Sequence, residues 1–188
     1  MSRWEPNARG RLEQAALEQF AERGFEHATV EDIATRAGLT KRTFFRYFSD
    51  KREVLFGGGD EFKQRFVDAL AGAPASAAPI EAIAISLETV ASAFRDRHQF
   101  ARQRQAVIAA NAELQERELV KLASVAAALA ATLRERGVDE PDASVIAEMA
   151  VAVFRIAFER WVADTDAGNL PELIRESLQA LRAVAAGR

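Results

Sequence analysis

The 188-residue sequence contains no cysteine, which excludes disulfides, thiolate zinc sites and cysteine nucleophiles. It also has no uninterrupted apolar run near the roughly 18 to 20 residues that a bilayer requires, so we expect no membrane span. The opening stretch MSRWEPNARG is polar, and we therefore expect no signal peptide. Together these absences predict a soluble protein of the cytoplasm.

Catalytic motifs are scarce as well. His27 and His98 are the only histidines, and the sequence shows no HExxH, P-loop, GxSxG or dinucleotide-binding pattern. We therefore expect a protein that is not an enzyme and that holds neither a metal nor another cofactor.

Helical patterning, by contrast, runs through the whole chain, and no segment alternates as a strand would, so the predicted fold class is all-α. Gly24 ends a first helix whose apolar face carries Leu12, Ala15, Ala16 and Phe20. Thr29, with Asp32 three residues later, is expected to cap a second helix. Thr40 and Asp50 are expected to cap a third and a fourth.

The fourth helix is expected to be interrupted, because Gly57, Gly58 and Gly59 each cost about 0.5 to 1 kcal/mol relative to alanine in a helix interior. Five more helices are predicted: from about Ile80, near Phe100 to Ala110, from Asn111 to Arg136, from Pro141 to about Ala163, and from about Pro171. The helix after Pro141 is apolar around most of its circumference, so we expect it to bury two faces.

The stretch TKRTFFRYF, residues 40–48, packs four rings and three cations into nine residues. At about 100° per residue, Phe44 and Phe48 point into the core, with Tyr47 at its boundary. The opposite face carries Arg42, Thr43, Phe45 and Arg46. An apolar ring among cations suits the major groove of DNA, whereas the alternative is a ring packed on a neighbouring helix. Residues 36–52 carry six cations and one anion in a chain of net charge −3, which also favours a polyanion.

The second and third helices have the spacing of a helix-turn-helix, with Ala34 where they cross and Gly38 in the turn. The string RLEQAALEQFAERGFEHATVEDIATRAGLTKRTFFRYFSDKREVLF, residues 11–56, resembles the DNA-binding domain of the TetR family of bacterial transcriptional regulators. The resemblance implies an N-terminal three-helix helix-turn-helix DNA-binding domain over residues 1–56. It further implies a C-terminal helical ligand-binding and dimerisation domain over residues 57–188, where only length and helical character support it.

Taken residue by residue, the resemblance implies that Thr29 caps the second helix and touches a phosphate, and that Lys51 contacts the DNA backbone. Arg42 stands where the family often has glycine, and it adds a cation able to fork onto guanine. Phe45 stands where the family often has tyrosine, so Tyr47 is expected to supply the lost phosphate bond. The predicted DNA-binding residues are Thr29, Thr40, Lys41, Arg42, Thr43, Phe45, Arg46, Tyr47 and Lys51.

The resemblance also implies a small-molecule pocket in the second domain. Aromatic and adaptable side chains line such pockets, with ordinary core packing as the alternative for each, and the candidates are Phe62, Phe66, Phe94, Phe100, Met149, Arg155, Phe158 and Trp161. Arg155 could instead pair with Glu159 one turn later. The C-terminal helices look somewhat like a TetR branch that senses acyl thioesters, so the expected effector is an acyl thioester or another apolar compound.

These features predict a homodimeric, ligand-responsive, sequence-specific DNA-binding transcriptional regulator, a repressor released from an inverted-repeat operator by a small molecule. The family's dimer uses its last two helices, which gives Val145–Val162 and Leu170–Leu181 as interface candidates. Residues 57–59 are expected to act as a hinge, with a tolerated surface irregularity as the alternative. A non-sensing architectural DNA-binding protein and a helical small-molecule carrier without DNA binding remain open as alternatives.

Overall fold

A computed structural model describes residues 7–164 and 168–187, and in these two ranges the chain forms ten helices and no strand. The predicted all-α class is confirmed. No helix within these ranges is both long and apolar enough to cross a membrane, and residues 1–6 of the polar opening stretch lie outside them. The helices are α1 Ala8–Arg23, α2 Val30–Arg36, α3 Lys41–Tyr47, α4 Glu53–Phe56, α5 Gly59–Ala71, α6 Pro79–Ser92, α7 His98–Ala109, α8 Ala112–Glu135, α9 Asp142–Ala163 and α10 Leu170–Ala185.

The chain divides into two compact units. The first runs through Gly58 and also takes in residues 100–116, whereas the second comprises residues 59–99 and 117–188. The second unit therefore differs from the expected domain over residues 57–188. The physical reason is that Val107, Ile108 and Leu114 are buried in the same apolar core as residues of α1 to α4.

The first unit is built on a short apolar core with well-capped helices. Asn7 caps α1 by accepting a hydrogen bond from the backbone N–H of Gly10, and Gly24 ends the helix with φ at 79°. The predicted inner face of α1, namely Leu12, Ala15, Ala16 and Phe20, is buried. At the next helix, the Thr29 hydroxyl accepts from the N–H of Asp32 while the Asp32 carboxylate accepts from the N–H of Thr29, so the expected reciprocal cap is confirmed.

The turn between α2 and α3 is as tight as the sequence predicts. Gly38 has φ at 66°, a left-handed conformation that favours glycine, and the N–H of Leu39 donates to the carbonyl of Ala34 at 2.8 Å. Thr40 then caps α3 by accepting from the N–H of Thr43 at 3.2 Å. This geometry is a helix-turn-helix, and it places α3 as its second helix.

The expected interruption near residue 57 is confirmed, because α4 ends at Phe56 and α5 begins at Gly59. The N-cap of α4 is Arg52 and not the expected Asp50, although Oδ1 of Asp50 accepts from the N–H groups of Arg52 at 2.7 Å and Glu53 at 3.1 Å and so orders the start of the helix. A Cβ atom at Gly57 would lie 2.6 Å from the carbonyl oxygen of Glu53, so a larger residue there requires the backbone to shift. At Gly59 a Cβ would meet only the Lys121 side chain, at 3.9 Å, so glycine is not sterically required.

The second unit packs α5 against α6, α6 against α9 and α10, and α9 against α10. One face of α9 is buried inside the second unit. The buried residues of this face are Ala143, Ala147, Ala150, Val153, Phe154, Ala157, Trp161 and Val162. On another face of the same helix, Val145 is 53% exposed and Ile156 is 46% exposed. We expected α9 to bury two faces. In the single chain, the second of these apolar faces is exposed.

The assignment of residues 100–116 to the first unit predicts the effect of truncating Leu114, which is 0% exposed in that unit's core. Leu114→Ala should lower the free energy of unfolding of α1 to α4 by about 2 to 5 kcal/mol. Leu119→Ala on the same helix is the control, since Leu119 is 62% exposed and should change stability by less than about 0.5 kcal/mol. Amide hydrogen exchange of α1 to α3 measures the stability of both variants. Unchanged exchange in Leu114→Ala would contradict the assignment of residues 100–116 to the first unit.

Candidate nucleic-acid interface

The rings of α3 divide between the core and the surface. Phe44 and Phe48 are buried, as predicted, whereas Phe45 is 48% exposed and Tyr47 is 40% exposed. Tyr47 therefore lies on the exposed side and not at the boundary of the core. The ring of Phe45 makes an edge contact with Phe44 of its own helix, with ring centroids 5.5 Å apart. The exposed face of α3 thus presents two aromatic rings.

Three cations share this face of α3. Lys41, Arg42 and Arg46 are all exposed. Arg46 lies over the Tyr47 ring at 5.0 Å, and its Nη2 donates to the Tyr47 hydroxyl at 3.3 Å. Such an arginine–ring contact holds both side chains at the surface in a defined position. The exposed face of α3, with Lys41, Arg42, Phe45, Arg46 and Tyr47, is called the α3 surface below.

The other cations of the basic stretch 36–52 are engaged inside the first unit. Arg36 donates to both carboxylate oxygens of Glu22, at 2.7 and 2.6 Å, which raises the pKa of Arg36 and lowers that of Glu22. Arg52 donates to Asp50 and Glu113, and these hydrogen bonds raise the pKa of Arg52, with Asp50 as the larger cause. The basic footprint read from the sequence is therefore larger than the cationic surface that the fold leaves to a partner.

The Lys51 side chain is bonded to the backbone of the first unit, and its DNA contact stays a prediction. Its ammonium group donates to the backbone carbonyls of Phe25 at 2.7 Å, Glu26 at 3.1 Å and Ala28 at 3.4 Å, and it lies 4.4 Å from the centroid of the Phe25 ring. An ammonium has three donors, and three carbonyls take them. The sequence pattern gave no sign of these contacts, which join residues more than twenty positions apart.

The threonines expected to face DNA are the caps of the two helices. The Thr29 hydroxyl donates to Oδ2 of Asp32 at 2.7 Å, and the hydroxyls of Thr40 and Thr43 are 3.0 Å apart. The bond from the Thr29 side chain is the main cause that lowers the pKa of Asp32, with a further contribution from the charge of Arg23. Thr29 and Thr40 are exposed and Thr43 is half-buried, so these hydroxyls order the helix starts at the surface.

In the second unit, five of the eight predicted pocket residues come together in one cluster of rings. Phe62, Phe66, Phe94, Phe158 and Trp161 are linked by centroid distances of 5.0 to 6.3 Å. The sequence reasoning missed Phe154, which contacts four of these rings, and His98, whose ring lies 4.8 Å from Trp161. The sequence could have indicated Phe154, because it precedes Phe158 and Trp161 at i, i+4, i+7 spacing and therefore lies on the same helix face.

Of the remaining three predicted pocket residues, two have other surroundings. Phe100 belongs to the first unit and packs against its core. Arg155 is exposed and donates to Glu159 at 3.1 Å, which is the i, i+4 pair weighed from the sequence. Met149 is half-buried on α9. Among the residues that the structure describes, no three His, Asp or Glu side chains come together as metal ligands.

Comparison with known proteins identifies the family. The family profile described as "Bacterial regulatory proteins, tetR family" matches residues 13–56, and the profile of the MftR C-terminal domain matches residues 77–186, more than half of the chain. The chain belongs to the tetR family of bacterial regulatory proteins. The predicted resemblance is therefore confirmed, and the helix-turn-helix formed by α2 and α3 lies inside the region that the first profile matches.

Individual relatives of this TetR-family chain match over limited lengths. It is 38% identical to the HTH-type transcriptional regulator TcmR of Streptomyces glaucescens over 88 residues, 47% of this chain and 39% of TcmR. It is 39% identical to the HTH-type transcriptional repressor KstR2 of Mycobacterium tuberculosis over 60 residues, 32% of this chain and 28% of KstR2. The crystal structure of FadR from Bacillus subtilis with stearoyl-CoA shares the fold, at a TM-score of 0.64 and 23% identity over 92% of this chain and 96% of that chain.

The cap of α2 gives a pH-dependent prediction. The folded state holds the pKa of Asp32 below its ordinary value of 3.8, so this stabilisation is present above that value and is lost as the pH falls through the folded pKa. Asp32→Asn should therefore have a lower free energy of unfolding than the wild type at pH 7. This difference in free energy should shrink as the pH falls below 3.8, the ordinary pKa of the carboxyl group. Urea unfolding across this pH range measures it, with the exposed neighbour Glu31→Gln as control. A gap independent of pH would contradict the prediction.

Proposed function

We propose that this chain is a homodimeric transcriptional repressor of the cytoplasm that binds an inverted-repeat operator and is released by a small molecule. The observation that carries the proposal is the α3 surface, where three cations surround an exposed apolar ring on the second helix of a helix-turn-helix. A surface of this kind fits the major groove, whose edges and flanking phosphates accept cationic donors. Membership of a regulatory family supports the same conclusion.

On DNA, the residues of the α3 surface divide by reach and chemistry. Arg42 is the base-reading residue, because a guanidinium can donate two bonds to the O6 and N7 atoms of guanine. Lys41 and Tyr47 position the helix through phosphates, and Arg46 supports Tyr47 by its ring contact. Phe45 lies against a sugar or a thymine methyl. The hydroxyls of Thr29, Thr40 and Thr43 add backbone contacts at the starts of α2 and α3.

A second copy of the chain would cover the apolar surface of α9. Val145 and Ile156 lie three helical turns apart on one face, and Val184 of α10 is also exposed. Isolated exposed apolar residues are ordinary on a protein surface, but exposed apolar residues on both of the last two helices are what a four-helix bundle between two chains would bury. Two recognition helices then read half-sites about 34 to 36 Å apart, or one DNA turn.

The effector site proposed for the second unit is the ring cluster. Phe62, Phe94 and Phe158 are half-buried at its margin, whereas Phe66, Phe154 and Trp161 are buried within it. An apolar effector would insert among the marginal rings and displace them, which costs less than opening a fully buried core. FadR of similar fold was crystallised with stearoyl-CoA, so an acyl thioester is the first class to examine, followed by other apolar compounds. The break at residues 57–59 is the proposed hinge.

The first experiment is selection of bound duplexes from a random-sequence DNA library at near-physiological salt. An enriched inverted repeat is the expected result, and absence of enrichment from folded protein would overturn the proposal in favour of a carrier. On the selected site, Arg42→Ala should lower affinity by about 1 to 3 kcal/mol and relax the preference at one base pair in each half-site. The control is Arg65→Ala, an exposed arginine of α5, which should bind as the wild type does. Equal weakening on every sequence would show that Arg42 does not read a base.

The effector site predicts a fluorescence signal from Trp161, the tryptophan of the ring cluster. In a Trp4→Phe background, an acyl-CoA such as stearoyl-CoA or another apolar effector should change Trp161 emission and weaken operator binding in parallel. Phe94→Ala should reduce effector affinity about tenfold or more by removing a marginal ring, whereas Phe45→Ala should leave effector affinity unchanged. A folded protein that takes up no apolar probe would favour the architectural alternative.

A further inference from the structure

We propose that His98 is a specificity-determining residue of the effector site, where its Nδ1 atom accepts a hydrogen bond from a hydroxyl group of the effector. The effector is then an apolar compound that carries a hydroxyl beside the part that the rings hold; in an acyl thioester, this group would be a hydroxyl on the chain. The inference rests on the effector site proposed above and deepens it by naming the polar group that the effector presents.

His98 is a polar side chain at the edge of the ring cluster. It is the first residue of α7, belongs to the second unit and is half-buried. Its ring meets the Trp161 ring edge-on, with centroids 4.8 Å apart, and its Nε2 lies 2.9 Å from the backbone carbonyl oxygen of Trp161. Apolar ligand sites combine many rings with a few placed polar groups of this kind.

The contact with Trp161 decides which nitrogen of the His98 ring carries the proton. A carbonyl oxygen can only accept a hydrogen bond, so Nε2 is the protonated donor. In a neutral imidazole the other nitrogen, Nδ1, then has no proton and is an acceptor. Among the residues that the structure describes, Nδ1 has no hydrogen-bond partner. This edge of the ring cluster therefore presents an acceptor, and it favours a donor on the effector.

Trp161 holds the imidazole in a defined place. It is one of the last four residues of α9, whose carbonyls have no partner inside the helix, so the bond from His98 satisfies a helix-end acceptor. The Trp161 residue is 2% exposed, and its indole N–H donates to the carbonyl of Gly168 at 2.6 Å. A hydrogen bond to an acceptor that is already positioned costs less ordering than one to a mobile side chain.

Two other polar side chains adjoin the ring cluster, and both have partners within the second unit. The Ser86 hydroxyl is 0% exposed and donates to the carbonyl of Phe66 at 2.9 Å. The Lys121 ammonium lies 4.9 Å from the centroid of the Phe62 ring and donates to Glu118 at 2.7 Å. An effector would have to displace these contacts, whereas at the unused imidazole nitrogen it adds a bond without breaking one.

The tautomer can be read in the wild-type chain without an effector. His27 is the only other histidine, so nitrogen NMR of protein with isotope-labelled histidine shows two imidazoles, and His27→Phe assigns them. At about pH 8, where an ordinary imidazole is neutral, His98 should be protonated at Nε2, whereas the exposed His27 should average over both tautomers. A proton on Nδ1 of His98 would overturn the proposal.

The preference for a hydroxyl is tested with 1-naphthol and 1-fluoronaphthalene, which share one ring system but of which only the first has a donor. Equilibrium dialysis gives the ratio of the two affinities. This ratio should favour 1-naphthol in the wild type and fall about tenfold in His98→Phe, which keeps a ring but has no nitrogen. His27→Phe is the matched control and should keep the wild-type ratio. An unchanged ratio in His98→Phe would overturn the proposal, because a purely structural role of His98 alters both affinities alike.

Failure of the proposed effector site remains distinguishable from failure of this inference. If the wild type takes up both compounds without preferring 1-naphthol, the effector site stands and the inference alone is overturned. If it takes up neither, the inference is also overturned, and the acyl-CoA experiment above decides whether the ring cluster is an effector site. If His98→Phe does not fold, the tautomer and the affinity ratio of the wild type decide, since both use folded wild-type protein.

Discussion

The burial of Phe44 is the constraint on which the α3 surface depends. Its ring lies in the core of the first unit, and successive helix residues are rotated by about 100°. Once Phe44 points inward, Arg42, Phe45 and Arg46 must point outward. Phe48 fixes the other end of α3 in the same core, so the rotation of the helix is set at both ends.

The cations near α3 differ in the groups that contact them. Arg36 and Arg52 are held by carboxylates, and Lys51 is held by carbonyls, so they serve the integrity of the first unit. Exposed ion pairs of this kind contribute little stability singly, but they define geometry where several donors converge. Within residues 36–52, the cations that neither a carboxylate nor a carbonyl holds lie on α3, so the exposed cationic surface is narrower than the basic run of the sequence suggests.

In the second unit, the apolar side chains are likewise divided between a buried face and an exposed face. Along α9, one face builds the ring cluster through Phe154, Phe158 and Trp161, while Val145 and Ile156 remain uncovered. One helix thus carries both the proposed effector site and the proposed dimer surface. A ligand that moves the rings would therefore act on the same helix as the proposed partner chain.

The sequence by itself determined the all-α class, the caps at Thr29 and Thr40, the break after Phe56 and the inward position of Phe44. Each of these depends on residues within about four positions along the chain, where periodicity and capping chemistry act. Only the tertiary structure decided that residues 100–116 join the first unit, that Phe154 lies among the other rings, and that Lys51 bonds to residues 25–28. These contacts join residues distant in sequence, and local patterns carry no information about which distant surfaces pack together.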